Sequence, residues 1–271
     1  MHLSRFIEPV VDALWPQVCL GCRQPSPPGG TPLCPVCRRR LQDLSALTYC
    51  PRCGRSASPL ATDRTGCPGC RRERFWNHRG LVRVGPYEPP LRDWLLSIKY
   101  GRDPRALQQL AALLAERLAA APWFDQVELL VPVPRHWLRR LERRQDHARV
   151  LAGQVARRIG RPLASGVLRR CRYTPSLVRA AQTRRQRFEL VRDSFAVRRP
   201  ARIAGRTICL IDNVIVSGAT LHEAVRTLRR TGVRRIYAAV VCRQSVPGDW
   251  TPDVEVLLQA PHAADPPVEK K

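Results

Sequence analysis

The chain has 271 residues and a formal net charge of +25, from 47 basic and 22 acidic side chains. This length accommodates one α/β core and a smaller module, and no apolar run approaches the ~20 residues of a membrane span, so we expect a soluble protein. The charge permits an anionic partner such as nucleic acid. However, nearly all basic residues are arginines, with lysine only at 99, 270 and 271, and a GC-rich coding sequence would produce the same bias. Both explanations of the charge stay open.

The first 16 residues carry apolar side chains at helical spacing, which predicts a short amphipathic helix. Glu8 and Asp12 lie inside this apolar stretch, where a secretory signal would not tolerate acidic residues well. We therefore expect a cytoplasmic protein whose N-terminal helix docks on the protein rather than on a membrane.

Eight of the 11 cysteines form four CxxC pairs, separated by 11, 12 and 13 residues. The paired residues are Cys19 and Cys22, Cys34 and Cys37, Cys50 and Cys53, and Cys67 and Cys70. Two such pairs place four thiolates around one ion, so residues 17–75 are predicted to form a double zinc ribbon. Disulfides are disfavoured because a chain without an export signal stays in a reducing compartment. Iron–sulfur ligation is the remaining alternative.

The pairing with the shortest loops joins the first two CxxC pairs in one site and the last two in another. Four thiolates leave no open coordination position, so both sites would be structural. The loop at residues 23–33 has too few apolar residues for a core, so the metal must supply folding energy. Cys171, Cys209 and Cys242 stand alone, and we expect each to be a buried, unreactive residue.

Residues 80–245 are predicted to form an α/β domain. A strand at 80–87 is followed by a helix whose apolar residues recur at helical spacing from Leu91, and then by a second helix that starts near Pro104. The apolar run at 127–133 predicts a buried strand that ends in prolines.

The next segments are rich in arginine. A long helix is predicted for residues 139–159, and the arginine cluster at its start is either a solvated face or a pyrophosphate contact. Residues 165–192 have few periodic apolar positions, which predicts a mobile loop that reaches over the site.

Strands are predicted at 194–198, 206–211 and 235–242, and a helix between the last two is expected to end at Gly232. Alternating strands and helices predict a parallel sheet with helices on both faces. Ligands in such sheets bind beyond the carboxyl ends of the strands. Residues 262–271 are expected to form a disordered tail.

The most informative segment joins the central predicted strand to the helix after it. It contains Asp212, followed by Ser217, Gly218, Ala219 and Thr220. The unpaired N–H groups and the dipole of a helix N-terminus suit a phosphate, and a carboxylate suits sugar hydroxyls. The segment therefore predicts a phosphorylated-ribose site. The simpler alternative is that Asp212 only stabilises the start of the helix.

The run ICLIDNVIVSGAT resembles the phosphoribosyl pyrophosphate (PRPP) loop of type I phosphoribosyltransferases. Four further features accompany it: the CxxC pairs, the segments YEPPLRDWLLSIKYGRD and VPVPRHWLRRLERR, and an arginine-rich loop before SFAV. In this order they resemble the ComF family, which is associated with natural competence and DNA uptake. The resemblance extends from about residue 10 to residue 245.

The resemblance implies a type I phosphoribosyltransferase fold that follows a zinc-ribbon module. Asp212 and Asn213 would occupy the catalytic positions beside the ribose hydroxyls, and Mg²⁺ would enter with the pyrophosphate of PRPP. The residues that would cradle the 5′-phosphate are Ser217, Gly218, Ala219 and Thr220. Lys99 and Arg135 are candidates for pyrophosphate contacts.

The chain departs from the family pattern at three places. Asn213 stands where the family has a second acid, so it can hydrogen-bond but brings no charge to the reacting ribose. Val216 replaces a usual hydroxyl residue. The segment RRQDHA at 143–148 differs from the RGFNQA of many relatives, which weakens the expectation for that part of the site.

Two functions follow from the resemblance. One is an enzyme that moves ribose 5-phosphate from PRPP to an acceptor. The other is a non-catalytic zinc-ribbon adaptor that binds single-stranded DNA or a DNA-uptake partner such as a helicase.

Overall fold

The computed structural model describes residues 18–25, 32–63, 65–73, 75–100, 104–136, 146–174 and 183–245. The helix predicted for residues 1–16 and the tail predicted for residues 262–271 lie outside this part of the chain. None of the described helices is long and apolar enough to cross a bilayer.

A four-stranded parallel sheet with the strand order β1-β6-β5-β2 forms the centre of the fold. The described strands are β1 (Leu81–Pro86), β2 (Leu129–Pro132), β3 (Leu168–Arg170), β4 (Phe195–Val197), β5 (Thr207–Ile215) and β6 (Arg235–Arg243). In β6 every residue after the first is buried, as expected for a parallel strand covered on both faces. β3 and β4 form a separate antiparallel pair. The predicted parallel sheet is therefore confirmed.

Helices cover both faces of this sheet, as the alternating pattern predicted. The described helices are α1 (Pro35–Ala46), α2 (Pro68–Glu73), α3 (Leu91–Lys99), α4 (Pro104–Ala119), α5 (His147–Ile159), α6 (Arg184–Val191) and α7 (Ala219–Arg229). Side chains of β5 alternate between the faces. Cys209 and Ile211 belong to the core that includes α3, α4 and α5, whereas Ile208 and Leu210 belong to the core that includes α7.

Each CxxC module contributes to a different face. Cys19, Leu20 and Cys37 are part of the core that contains α3, α4 and α5. Cys50 and Cys53, with the other two cysteines of their module, are part of the core that contains α7. The two modules are thus packed into the α/β core rather than attached to its outside.

The helix predicted for residues 139–159 begins later than expected. Asp146 has an extended backbone, with φ −87° and ψ 91°, and its carboxylate accepts a hydrogen bond from the N–H of Arg149 at 3.4 Å. This is N-cap geometry, so α5 starts at His147. The arginine cluster at 139–144 lies outside the described residues.

The arginine-rich segment 165–192 was predicted to be a mobile loop, but it contains β3 and α6. Thr183 and Gln186 form a capping box at the start of α6, in which each side chain bonds the backbone N–H of the other residue. Val191 is the one buried residue of this helix, so its apolar pattern gave no helical signal.

The element ends around the predicted ribose-phosphate segment also differ. β5 continues to Ile215 because residues beyond Asp212 still pair with β6, for example Val214 with Cys242. α7 ends at Arg229, and Gly232 lies in the turn that follows.

The three single cysteines do not behave alike. Cys209 and Cys242 are fully buried, as predicted, and burial raises the pKa of both thiols. Cys171 is exposed, contrary to prediction, because it follows β3 of the short two-stranded sheet rather than a strand of the buried parallel sheet.

Candidate functional site

A tight turn joins the carboxyl end of β5 to the N-terminus of α7. Gly218 forms the N-cap of α7 with φ 87°, in the left-handed region that favours glycine. The turn borders a pocket of about 110 Å³, several times the ~10–15 Å³ that one water requires. The lining includes Asp212, residues 214–221 and Arg187.

Two arginines hold the carbonyl groups of this turn. Arg243 Nη1 donates to the carbonyl oxygens of Ile215, at 3.1 Å, and Val216, and Arg184 Nη2 donates to that of Ser217 at 3.3 Å. The C=O and N–H groups of a trans peptide point in opposite directions. Fixing three successive carbonyls therefore turns the N–H groups of residues 216–218 away from the guanidinium groups.

The segment after the last CxxC pair packs directly on the turn. A Cβ atom added to Gly218 would come within 2.9 Å of Trp76 Cζ3 and 3.1 Å of Phe75 Cε2. The carbonyl oxygen of Phe75 also lies 2.8 Å from His222 Nδ1 in the first turn of α7. The turn is thus covered on one side by two aromatic residues that belong to the cysteine-rich module.

Glu73 links the same module to Arg184. Its carboxylate accepts hydrogen bonds from Trp76 Nε1 at 2.8 Å, Arg55 Nη2 at 2.5 Å, and Arg184 Nη1. Burial alone would raise the pKa of Glu73, but these three donors, with Arg184 first, hold it below its usual value. Arg184 therefore connects a charged carboxylate to the Ser217 carbonyl.

The carboxyl group of Asp212 lies at the pocket in an environment that opposes ionisation. Burial raises its pKa to about 6, while the N–H of Asn213, 2.7 Å from Asp212 Oδ1, and the charges of Arg135 and Arg170 act in the opposite direction. The charge of Asp146 adds a smaller upward effect. Asp212 therefore faces two arginines and a second carboxylate at the carboxyl edge of the sheet.

The predicted site residues divide into three groups. Asp212 and the residues at 217–220 line one pocket, and Arg135 is close enough to affect the pKa of Asp212. Asn213 does not line that pocket, and its Oδ1 atom is buried without a hydrogen-bond partner among the described residues. Lys99 is at the end of α3, with Nζ 5.3 Å from the ring centroid of Tyr100.

Three arginines of this site were not predicted from the sequence. Arg187 lines the pocket, and Arg184 and Arg243 bind the carbonyls of the turn. The first two lie in a segment that was interpreted as a loop. The spacing of Thr183 and Gln186, a capping-box signature, could have identified the helix that carries them.

The eight paired cysteines form two groups of four, joined in sequence order. Within each group the sulfur atoms lie within 4.8 Å of one another. The distance between Sγ atoms is 3.8 Å for Cys22 and Cys34, and 3.7 Å for both Cys50 with Cys70 and Cys53 with Cys67. Four sulfurs bound tetrahedrally at ~2.3 Å from zinc are about 3.8 Å apart, so both groups fit a zinc ion.

Backbone N–H groups also point at these sulfurs. Cys34 N lies 3.2 Å from Cys19 Sγ, and Cys67 N lies 3.3 Å from Cys50 Sγ. Such donors stabilise the negative charge of a metal-bound thiolate. Cysteine-only coordination leaves no open position, so the two zinc sites are structural.

Comparison with known proteins agrees with this arrangement. A family described as "Double zinc ribbon domain" matches residues 10–71, and one described as "Phosphoribosyl transferase domain" matches residues 145–256. "Competence protein F" of Haemophilus influenzae is 27% identical over 80% of this chain and 93% of its own length. "DNA utilization protein YhgH" of Salmonella typhimurium is 27% identical over 84% of this chain and 97% of its own length.

A solved adenine phosphoribosyl transferase from Trypanosoma brucei aligns with a TM-score of 0.39 and 13% identity, over 88% of this chain and 86% of its own. The family matches and the strand order define a phosphoribosyltransferase-type α/β domain joined to a double zinc ribbon. The recognition from the motifs is confirmed to this extent: the chain combines a double zinc ribbon with a phosphoribosyltransferase domain, and relatives named for competence and DNA utilization align with at least 80% of it.

The purified protein should contain two zinc ions per chain. Replacing one ligand, as in Cys50→Ser, should reduce the zinc content to about one ion, because three thiolates no longer complete the tetrahedral site. Elemental analysis by mass spectrometry measures this directly. Cys171→Ser is the matched control, since this cysteine is exposed and outside both groups. Stoichiometric iron instead of zinc, or an unchanged metal content in Cys50→Ser, would contradict the assignment.

The Gly218→Ala variant should be destabilised by about 2–5 kcal/mol, because a left-handed alanine costs ~1–2 kcal/mol and overpacking against Trp76 adds ~1–3 kcal/mol. Urea unfolding measures the change. Gly232→Ala is the control, since Gly232 also has a positive φ, 73°, but a Cβ there would meet nothing within 4 Å. Equal destabilisation in the two variants would show that the contact with Trp76 contributes nothing.

Proposed function

We propose that the pocket at the carboxyl edge of the sheet binds PRPP, or a closely related phosphoribosyl ligand, together with Mg²⁺. The observation that carries this proposal is the placement of Asp212 and the glycine turn on one pocket at the start of α7. This is the edge at which α/β sheets bind ligands. The proposal places this function in the cytoplasm, and the relatives named for competence and DNA utilization favour a role connected with DNA.

The 5′-phosphate would lie against the turn. The N-terminus of α7 supplies unpaired N–H groups and the positive end of the helix dipole. Arg243 and Arg184 hold the carbonyls of residues 215–217, so the amides between them are directed away from these guanidinium groups before any ligand binds. Such preorganisation lowers the cost of ordering the turn on binding. Arg187, from α6, would add a charged donor.

The ribose and pyrophosphate would lie toward Asp212. A carboxylate accepts hydrogen bonds from ribose hydroxyls, and Arg135 and Arg170, whose charges lower the pKa of Asp212, would bind phosphate oxygens. Mg²⁺ is usually held by one or two carboxylates and by substrate phosphates. Asp212 fits this ion, because its Oδ1 atom accepts the N–H of Asn213 while no described residue donates a hydrogen bond to its second oxygen. Mg²⁺ would neutralise charge on the pyrophosphate leaving group.

Transfer of ribose 5-phosphate to an acceptor is the reaction that such binding would serve. Positive charge develops on the ribose in that reaction, and nearby carboxylates stabilise it. Asn213 supplies no charge, it is not among the residues that line the pocket, and its side-chain oxygen is buried without a hydrogen-bond partner among the described residues. The geometry therefore supports ligand binding better than rapid turnover.

The second candidate function is the non-catalytic adaptor for single-stranded DNA or a DNA-uptake helicase. Asn213 favours it because an amide brings no charge to the reacting ribose, and the excess of arginine favours it because it would attract an anionic strand. The two functions share PRPP binding and differ in chemistry. Mg²⁺-dependent release of pyrophosphate from PRPP in the presence of an acceptor supports the enzyme. Binding of PRPP without release across a panel of nitrogen acceptors supports the adaptor.

A thermal-shift titration with PRPP and Mg²⁺ tests the binding site. At about 100 times the Kd, ligand binding adds ~2.7 kcal/mol to the free energy of unfolding, so the Tm should rise by several degrees. Asp212→Ala should weaken binding about 10- to 100-fold, since a hydrogen bond to a charged group contributes ~1.5–3 kcal/mol. Asp125→Ala, at an exposed aspartate, is the control and should bind normally. No shift at millimolar PRPP would refute the proposal.

Affinity for PRPP should also fall as the pH is lowered from about 7 to 5. The pKa of Asp212 is raised to about 6 in the folded protein, so protonation in this range removes the acceptor for the ribose hydroxyls. Isothermal titration calorimetry of the wild type and Asp212→Asn separates this effect from titration of the ligand, whose phosphate has a pKa of about 6. A variant with the same pH dependence as the wild type would exclude Asp212 as the group responsible.

A further inference from the structure

A second cleft lies at the C-terminal end of α7, whereas the turn at Gly218 lies at the N-terminal end of this helix. The cleft has a volume of about 430 Å³. Five of its lining residues are arginines. Arg52 belongs to the second zinc ribbon and Arg79 to the segment before β1. Arg229 ends α7, and Arg234 and Arg235 lie at the start of β6. The 11 residues of α7 span ~16 Å. The cleft is therefore a site separate from the PRPP pocket.

The cleft concentrates positive charge. Among the described residues, no aspartate or glutamate lines it. The C-terminal end of α7 lies here, and its dipole contributes only about half a negative charge, far less than five guanidinium groups. Bringing these cations together is unfavourable without an anion, because like charges repel across a cleft with protein walls.

Some of these arginines are held in place and others are available. Arg52 donates to the carbonyl oxygens of Thr65, at 2.9 Å, and Trp76, at 3.1 Å. Arg235 donates to Gln126 Oε1 at 2.6 Å. The side chains of Arg79 and Arg229 are exposed and make no hydrogen bond or ion pair with other described residues. The cleft thus offers both fixed charges and free donors.

A solvated helix face does not account for this arrangement. Arg226, three residues before Arg229 on α7, is paired with Glu223 at 2.7 Å and also contacts Asp193. Arg206 and Arg234 share Glu128, at 3.2 and 3.3 Å. Arg234 is thus the one cleft arginine that is paired with a described carboxylate, and that carboxylate lies outside the cleft lining. The other four arginines of the cleft have no acidic partner among the described residues.

We propose that this cleft binds a ligand with several phosphates in succession, either the backbone of a nucleic-acid strand or a free polyphosphate. A guanidinium group binds a phosphate through two parallel hydrogen bonds, so a single phosphate would leave several of the four arginines that lack a carboxylate partner without a counter-charge. The arginines come from four separate parts of the fold that meet in this cleft. This proposal stands whether or not the turn at Gly218 binds PRPP.

The test compares Arg79→Ala/Arg229→Ala with the charge-matched control Arg157→Ala/Arg158→Ala, a pair exposed on α5. Fluorescence anisotropy with a labelled oligo(dT) strand, from about 50 to 300 mM salt, gives affinity and salt dependence. Loss of two phosphate contacts should lower the slope of log K against log salt by about 1.4, and the control should match the wild type. Unlabelled long-chain polyphosphate serves as competitor.

The outcomes separate the ligand sources and the two sites. Displacement of oligo(dT) by polyphosphate supports the shared chemistry with either source, and binding that resists polyphosphate supports the nucleic-acid strand. Asp212→Ala should bind oligo(dT) like the wild type, which distinguishes this site from the PRPP pocket. Three outcomes would overturn the proposal. They are an equal loss of oligo(dT) affinity in the cleft variant and the control, displacement of the strand by PRPP, and no binding of either anion at low salt.

Discussion

The contact of Trp76 with the backbone of Gly218 joins the cysteine-rich module to the turn between β5 and α7. The turn needs a left-handed residue at the start of α7, and the indole ring occupies the space that any side chain there would require. Trp76 is itself 1% exposed, with its Nε1 bonded to Glu73. The position of this ring depends on the second zinc ribbon, because Glu73 follows the last zinc ligand by only three residues. The second zinc site and the turn between β5 and α7 are therefore parts of one packed unit.

The first ribbon has an equivalent role on the other face of the sheet. Trp94 of α3 is buried and donates from Nε1 to the carbonyl oxygen of Leu20 at 2.9 Å. Leu20 lies between two zinc ligands, Cys19 and Cys22, so the metal fixes the backbone that receives this bond. Small zinc modules have little core of their own and fold with their metal. Here they also complete the two hydrophobic cores of the α/β domain, which explains why one chain carries two of them.

Local sequence patterns predicted most of the fold, whereas the arginines that surround the site are brought there by contacts between residues far apart in the sequence. The CxxC spacing, the apolar strands and the sequence around Asp212 are local, and each predicted its element. The helix α6 was missed because its residues are almost all polar and its start depends on a capping box. Arg243 was missed for another reason: it binds carbonyls 28 and 27 residues away, on the neighbouring strand's turn. The spacing of apolar residues in a sequence predicts local elements but not a contact of this kind.

The buried arginines bear on whether the high charge reflects coding bias alone. Such a bias would place arginines where they cost little, at exposed positions. Arg83 and Arg243 are each 1% exposed, and desolvating a charge costs several kcal/mol unless hydrogen bonds compensate for it. Burial lowers the pKa of Arg83 to about 10, and its guanidinium bonds Gly54 and Ser56 in the second ribbon. Arg83 thus connects the second ribbon to β1, and Arg243 holds the turn between β5 and α7, so at least these two positions are explained by structure rather than by composition.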